Sequence, residues 1–241
     1  MNTQTAVLPD PMRAGVGGIH ATKWIAGSVD DQRRAVDAVF AAVENGGLPD
    51  GLLTLTGYVH PEGEDAFTYA QWSTADAPER FLEAGGKDLL DAVEAEVPAL
   101  ERAETNVYSL YRGYVSPDPA IAAAVTPDRA TAANPPGWII VVTIFFDEPG
   151  RAPGWIDTTL EALREVEPVD GLITNYFHID SAGTRVINYT EWSDREKHKA
   201  AHAGDTGPIG QNGAVGKRIK SLPGVVGVEL SRYQIHRSLA A

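Results

Sequence analysis

Residues 170–193 read DGLITNYFHIDSAGTRVINYTEWS, and residues 50–73 read DGLLTLTGYVHPEGEDAFTYAQWS. The two stretches align without a gap, 120 residues apart. Identities fall at Asp50/Asp170, Gly51/Gly171, Leu52/Leu172, Thr54/Thr174, Gly63/Gly183, Tyr69/Tyr189, Trp72/Trp192 and Ser73/Ser193. A second pair lies 125 residues apart, VPALERAETNVYSLYR (97–112) against LPGVVGVELSRYQIHR (222–237), sharing Tyr108/Tyr233 and Arg112/Arg237. Two collinear matches in the same order point to a tandem duplication. One copy can therefore be read against the other.

In the second copy, WIIVVTIFF (138–146) is a β-branched and aromatic run that predicts a buried strand. GWIDTTLEALREV follows with Ile156, Leu160, Leu163 and Val166 at helical spacing. DGLITNYFHID and TRVINYTEW then read as two strands joined by the short, Gly-containing SAG loop. SDREKHKAAHAG opens a helix, with Ser193 as expected N-cap, Glu196 completing a capping box and Gly204 as its stop. After a further helical stretch ending at Pro223, VVGVELSRYQIH supplies the last strand. The first copy has the same order, with GGIHATKWIA as opening strand and a helix capped by Ser28 that carries Val36, Val39, Phe40 and Val43 on one stripe.

The order β-α-β-β-α-β predicts an α+β chain of two ferredoxin-like domains, each an antiparallel sheet with its helices on one face. The expected domains are 18–115 and 137–241, packed sheet to sheet. A short disordered leader is expected over 1–17, and an Ala/Pro-rich linker over 116–136.

Of 241 residues, 43% are hydrophobic and 22% charged, which excludes a disordered or membrane-embedded chain. The net charge of −13 argues against nucleic acid, because neutralising phosphate needs clustered Lys and Arg. Residues 1–120 carry 19 acidic and 8 basic side chains; residues 121–241 carry 14 and 12. The second half thus repels an anion much less than the first. With no cysteine, disulfides, thiolate nucleophiles and cysteine-held metals are excluded, which fits a cytoplasmic protein without a secretory signal or membrane span. An i, i+4 histidine pair, His198 and His202, lacks an acidic partner, so no metal is expected.

The stretch NYFHIDSAGTRVINYTEWSD, with SLPGVVGVELSRYQIHR downstream, resembles the antibiotic biosynthesis monooxygenase family of dimeric α+β barrel proteins, and most of all the quinone-forming monooxygenases of actinorhodin-type pathways. The resemblance covers Gly137 to Arg237 well and Gly18 to Val115 more weakly. It implies oxygenation of an aromatic polyketide phenol or anthrone by O2 with no metal, haem or flavin. This chain would then be a pseudo-dimer within one polypeptide, with a further homodimer left open. Carried over by position, the family's strand-end Asn and Trp fall on Asn188 and Trp192, and its strand His falls on His178. The family's helix Tyr falls on His198, a departure, and its Arg has no clean counterpart near Lys217 and Arg218. The first copy has Thr68, Pro78 and Tyr58 at the Asn188, His198 and His178 positions, which implies a degenerate site.

Strand alternation puts Val186, Asn188, Thr190 and Trp192 on one face and Arg185, Ile187, Tyr189 and Glu191 on the other. The expected catalytic set is Asn188, Trp192 and His198, with His198 as base. The expected substrate-binding set is Tyr176, His178, His202, Lys217 and Arg218, and the stretch 204–213 is a candidate lid. Two other readings stay open. One is an oxygenase of the ring-opening or hydroxylating angucycline type, using reduced FAD or FMN from a separate reductase. The other is a protein that binds an aromatic ligand without turning it over.

Overall fold

A computed structural model of the chain describes residues 9–97, 100–118, 136–203, 207–210 and 212–240. The leader up to residue 8 and the linker residues 119–135 lie outside the described residues. In the first half come β1 (Gly18–Ile25), α1 (Val29–Gly46), β2 (Leu52–Val59), β3 (Asp65–Trp72), α2 (Ala77–Phe81), α3 (Lys87–Glu96) and β4 (Glu101–Val115). In the second come β5 (Trp138–Phe146), α4 (Arg151–Glu165), β6 (Leu172–Asp180), β7 (Arg185–Trp192), α5 (Arg195–Ala201), α6 (Ala214–Lys220) and β8 (Val225–Ala240). Both halves follow the β-α-β-β-α-β order, with two helices in the second α position.

The described chain divides into two compact units that are not the two sequence halves. Residues up to Ser109 and from Arg232 onward form the first; 110–118 and 136–231 belong to the second. β4 and β8 therefore each begin in one unit and end in the other. In the first unit β1 pairs antiparallel with β3 and β4, and β2 pairs with β3 and the end of β8. In the second, β7 pairs antiparallel with β5 and β6.

Registers match between the halves. Gly18 faces Trp72 as Trp138 faces Trp192, and Leu52 faces Trp72 as Leu172 faces Trp192. A bulge recurs too, between Leu52 and Thr54 and between Leu172 and Thr174. The shared residues have a structural reason. Gly51 and Gly171 take positive φ (83° and 82°), which a side chain disfavours. Their carbonyls accept from Ser73 N–H at 2.8 Å and Ser193 N–H at 2.9 Å.

Capping follows the sequence at α1, where Ser28 Oγ accepts from Asp31 N–H at 3.1 Å. At α5 the cap is Asp194 rather than Ser193: Asp194 has extended backbone and its Oδ1 accepts from Lys197 N–H at 2.9 Å. Ser193 is already committed to the Gly171 turn, so the helix starts one residue later. It ends at Ala201, with His202 as C-cap.

Each unit has its own core, between the sheet and the helices. Val36, Val39, Phe40 and Val43 of α1 pack on Trp24, Leu55 and Trp72 in the first. Ile156, Leu160 and Leu163 of α4 pack on Ile140, Phe177 and Trp192 in the second. These are the helical stripes read from the sequence, except that Val166 caps α4 instead of joining it.

Candidate active site

Between the sheet and the helices of the second unit lies a cavity of about 340 Å³. Its sheet wall is made by Ile140, Val142 and Ile144 of β5, Asn175 and Phe177 of β6, and Asn188, Thr190 and Trp192 of β7. Trp155, Thr159 and Leu163 of α4 form the opposite wall, with His198 and His202 at α5 and Val215, Gly216, Ile219 and Lys220 of α6. The lining is mostly apolar; Thr159 and Lys220 apart, its polar side chains fall in two clusters. That is the usual make-up of a small-molecule site.

The first cluster is on the sheet. Thr190 Oγ1 donates to Asn188 Oδ1 at 2.7 Å, and Asn188 Nδ2 donates to Asn175 Oδ1. The second is on the helix side. His198 is 5% exposed and meets Trp192 edge-on at 5.1 Å, and its ring lies 4.5 Å from that of His202. Nδ1 of His202 is 3.0 Å from the His198 carbonyl, which can only accept. The proton of neutral His202 is therefore on Nδ1, and Nε2 carries the lone pair.

The expected residues part company here. Asn188, Trp192, His198 and His202 share the cavity wall. Tyr176 and His178 are turned to the opposite sheet face by the bulge after Leu172. Beyond that bulge Asn175 and Phe177 take the helix side, although simple alternation from Leu172 would put Tyr176 and His178 there. Tyr176 stacks with Tyr189 at 6.5 Å. His178 is wholly buried, and burial pushes its imidazole down from 6.5 to about 4. Lys217 is not on the wall. Arg218 is held by Glu165 at 2.6 Å and Glu161 at 3.0 Å, tying α6 to α4 instead of reaching a ligand. Lys220, one turn on, lines the cavity in their place. Of the expected lid, 204–206 and 211 lie outside the described residues, and Ile209 touches the cavity.

Asn175 was not foreseen. Its signal is an amide inside a strand, a poor β-former, at the position where the first half has Leu55.

The matching space in the first unit is about 30 Å³, room for little more than a water. Two substitutions, and Phe81 three residues beyond the Pro78 that aligns with His198, account for this. Trp24 stands where the second unit has Ile144, and its Nε1 donates to Thr68 Oγ1, the Asn188 position, at 3.2 Å. Phe81 packs on Trp72 at 5.2 Å, as His198 does on Trp192. Gly57 replaces Phe177, and a Cβ there would lie 2.2 Å from Val36 Cγ1 of α1. Helix α1 thus rests directly on the sheet. In the second unit Phe177 occupies that space and meets Trp155 of α4 edge-on at 6.1 Å.

Among the described residues no group of three or more His, Asp or Glu is placed to hold a metal ion, and no helix is long and apolar enough to cross a membrane.

No protein-family profile matches the chain, and no curated protein does. Solved structures do. An anthrone oxidase-like protein superposes over 96% of this chain and 95% of its own, at 13% identity and a TM-score of 0.67. What is shared is the fold. A candidate monooxygenase from Fusobacterium nucleatum matches over 95% and 96% of the two chains (10% identity, TM-score 0.55). A candidate chlorite dismutase matches over 91% and 95% (10% identity, TM-score 0.53). All three span nearly the whole chain, so both units belong to the common architecture.

Proposed function

We propose that the chain is an oxygenase that acts on a phenol or anthrone of aromatic polyketide type, using O2 and the cavity of the second unit. The observation that carries this reading is the pairing of an amide cluster, Asn175 with Asn188, and a histidine pair, His198 with His202, across one apolar cavity. The sequence resemblance and the whole-length likeness to an anthrone oxidase-like protein support the same choice.

In this reading a flat polycycle lies against Trp192 and the aliphatic wall. His198, with His202 beside it, takes the proton that leaves the substrate, since imidazole exchanges protons near neutral pH. The charge develops on the substrate oxygen, where fixed amide donors stabilise it. One such donor contributes roughly 3–4 kcal/mol in a water-poor site. The resulting carbanion passes one electron to O2, and recombination forms a peroxide. Loss of water leaves a carbonyl. The balance is CH2 + O2 → C=O + H2O: the substrate supplies four electrons, one oxygen atom enters the ring and the other leaves as water. The product is a quinone, and the setting would be antibiotic biosynthesis.

Two variants test where the chemistry occurs. Asn188→Ala should lower anthrone turnover at least tenfold, while Thr68→Ala, at the matching position of the first unit, should leave it within twofold. Equal losses in both, or none in either, would remove the second-unit cavity from the reaction.

A further inference from the structure

We infer that Asn175 is a second substrate-contacting donor, forming with Asn188 a two-amide clamp on one substrate oxygen. The inference rests on the reading of the cavity as a phenol or anthrone site.

The hydrogen bonds run in one direction. Thr190 Oγ1 donates to Asn188 Oδ1 at 2.7 Å, and Asn188 Nδ2 donates to Asn175 Oδ1. Both amide oxygens are thereby engaged by protein donors. What remains for a ligand is one N–H on Asn188 and two on Asn175. The pair therefore faces the cavity as donors and suits an oxygen that carries negative charge. Strand geometry brings these donors together. Asn175 is opposite Thr190 across the β6–β7 ladder, Asn188 is opposite Phe177, and paired strands lie about 4.8 Å apart. Both amides open on the same cavity.

The fold does not require these residues. In the first unit the Asn175, Asn188 and Thr190 positions hold Leu55, Thr68 and Ala70. There the space is closed, and the one remaining hydroxyl accepts from Trp24. Both amides and the Thr190 hydroxyl are missing together where the cavity is reduced to about 30 Å³, and the hydroxyl that stands in for Asn188 is taken by Trp24. That pattern fits a unit that serves the ligand.

The test uses 2-hydroxyanthraquinone, a phenol already oxidised whose anion absorbs at longer wavelength than its neutral form. The full-length protein is titrated with it at a series of pH values. Bound to wild type, the dye should ionise at least one pH unit below the free dye. Asn175→Leu, which installs the first unit's residue, should reduce the preference for the anion at least tenfold, with affinity for the neutral dye kept within threefold. Asn175→Asp, of nearly the same size, should move ionisation above that of the free dye, and it provides the answer if the leucine variant fails to fold. An unchanged ionisation in Asn175→Leu, with Asn188→Leu still raising it, would overturn the clamp and leave the site reading standing. Dye that does not bind wild type, or binds with no change in ionisation, would overturn both.

Discussion

Trp24 Nε1 donates to Thr68 Oγ1 at 3.2 Å in the first unit, while the second unit has Ile144 and Asn188 at these two positions and an open cavity beside them. A large ring fully removed from solvent replaces the space a ligand would take. Trp24→Ile should accordingly destabilise the protein by about 2–4 kcal/mol, as large-to-small changes in cores do. Chemical unfolding measures the loss. The variant should also take up a second equivalent of a small apolar ligand and gain no oxygenase activity, because Leu55 and Ala70 supply no polar group.

Asn188→Ala removes the centre of the Thr190–Asn188–Asn175 chain. Stability should fall by no more than about 1–3 kcal/mol, the cost of leaving partners unsatisfied. The rate should fall by one to two orders of magnitude. Thermal unfolding and steady-state kinetics on the same preparation separate the two effects.

Gly57 leaves no room for a side chain, since a Cβ would sit 2.2 Å from Val36 Cγ1. Gly57→Ala must push α1 away and should destabilise the fold by about 1–3 kcal/mol, as overpacking does. Phe177→Gly, the reverse change in the second unit, should lose stability by cavity formation and weaken ligand binding. Unfolding curves and dye titration report these outcomes.

His178 makes stability depend on pH. Its folded value, about 4, is below that of the unfolded chain, about 6.5, because burial disfavours the charged ring. Between these values the unfolded chain binds the proton and the folded chain does not, so stability falls as pH drops from about 6.5 to about 4. The full effect is on the order of 3 kcal/mol. Urea unfolding at pH 7.5 and pH 5 should show the fall, and His178→Phe should reduce it.

His198→Phe keeps a ring against Trp192 and removes the proposed base. Turnover should drop at least tenfold and the acid limb of the pH–rate profile should disappear, while dye affinity changes little. A profile that keeps its shape would assign the base elsewhere, with His202 next in line.

Most of the fold was legible because period and repeat agree. The stripes Val36–Val43 and Ile156–Leu163, the β-branched run 138–146 and the repeated Asp-Gly and Trp-Ser pairs each have one dominant physical reading, and the two halves read alike. The site was legible where a strand runs regularly: alternation along β7 correctly grouped Asn188, Thr190 and Trp192. It failed on β6, where the bulge after Leu172 exchanges the faces. Tyr176 and His178 then point away, and Asn175 takes the wall. Nothing in the local sequence marks that bulge. The roles of Arg218 and Lys220 were equally hidden, since Glu161 and Glu165 on another helix decide which cation is free to face the cavity. The unit boundaries within β4 and β8 depend on long-range pairing, which no local pattern encodes.

The reaction proposed for the second-unit cavity, oxidation of an anthrone-type substrate by O2, calls for neither metal nor flavin. The most direct measurement is oxygen uptake with a tricyclic anthrone in EDTA, with no flavin added, alongside quinone formation by absorbance. The account predicts one O2 consumed per quinone formed by the wild-type protein and at least a tenfold lower rate in Asn188→Ala. No uptake until reduced flavin is supplied, or equal rates in the two proteins, would contradict it.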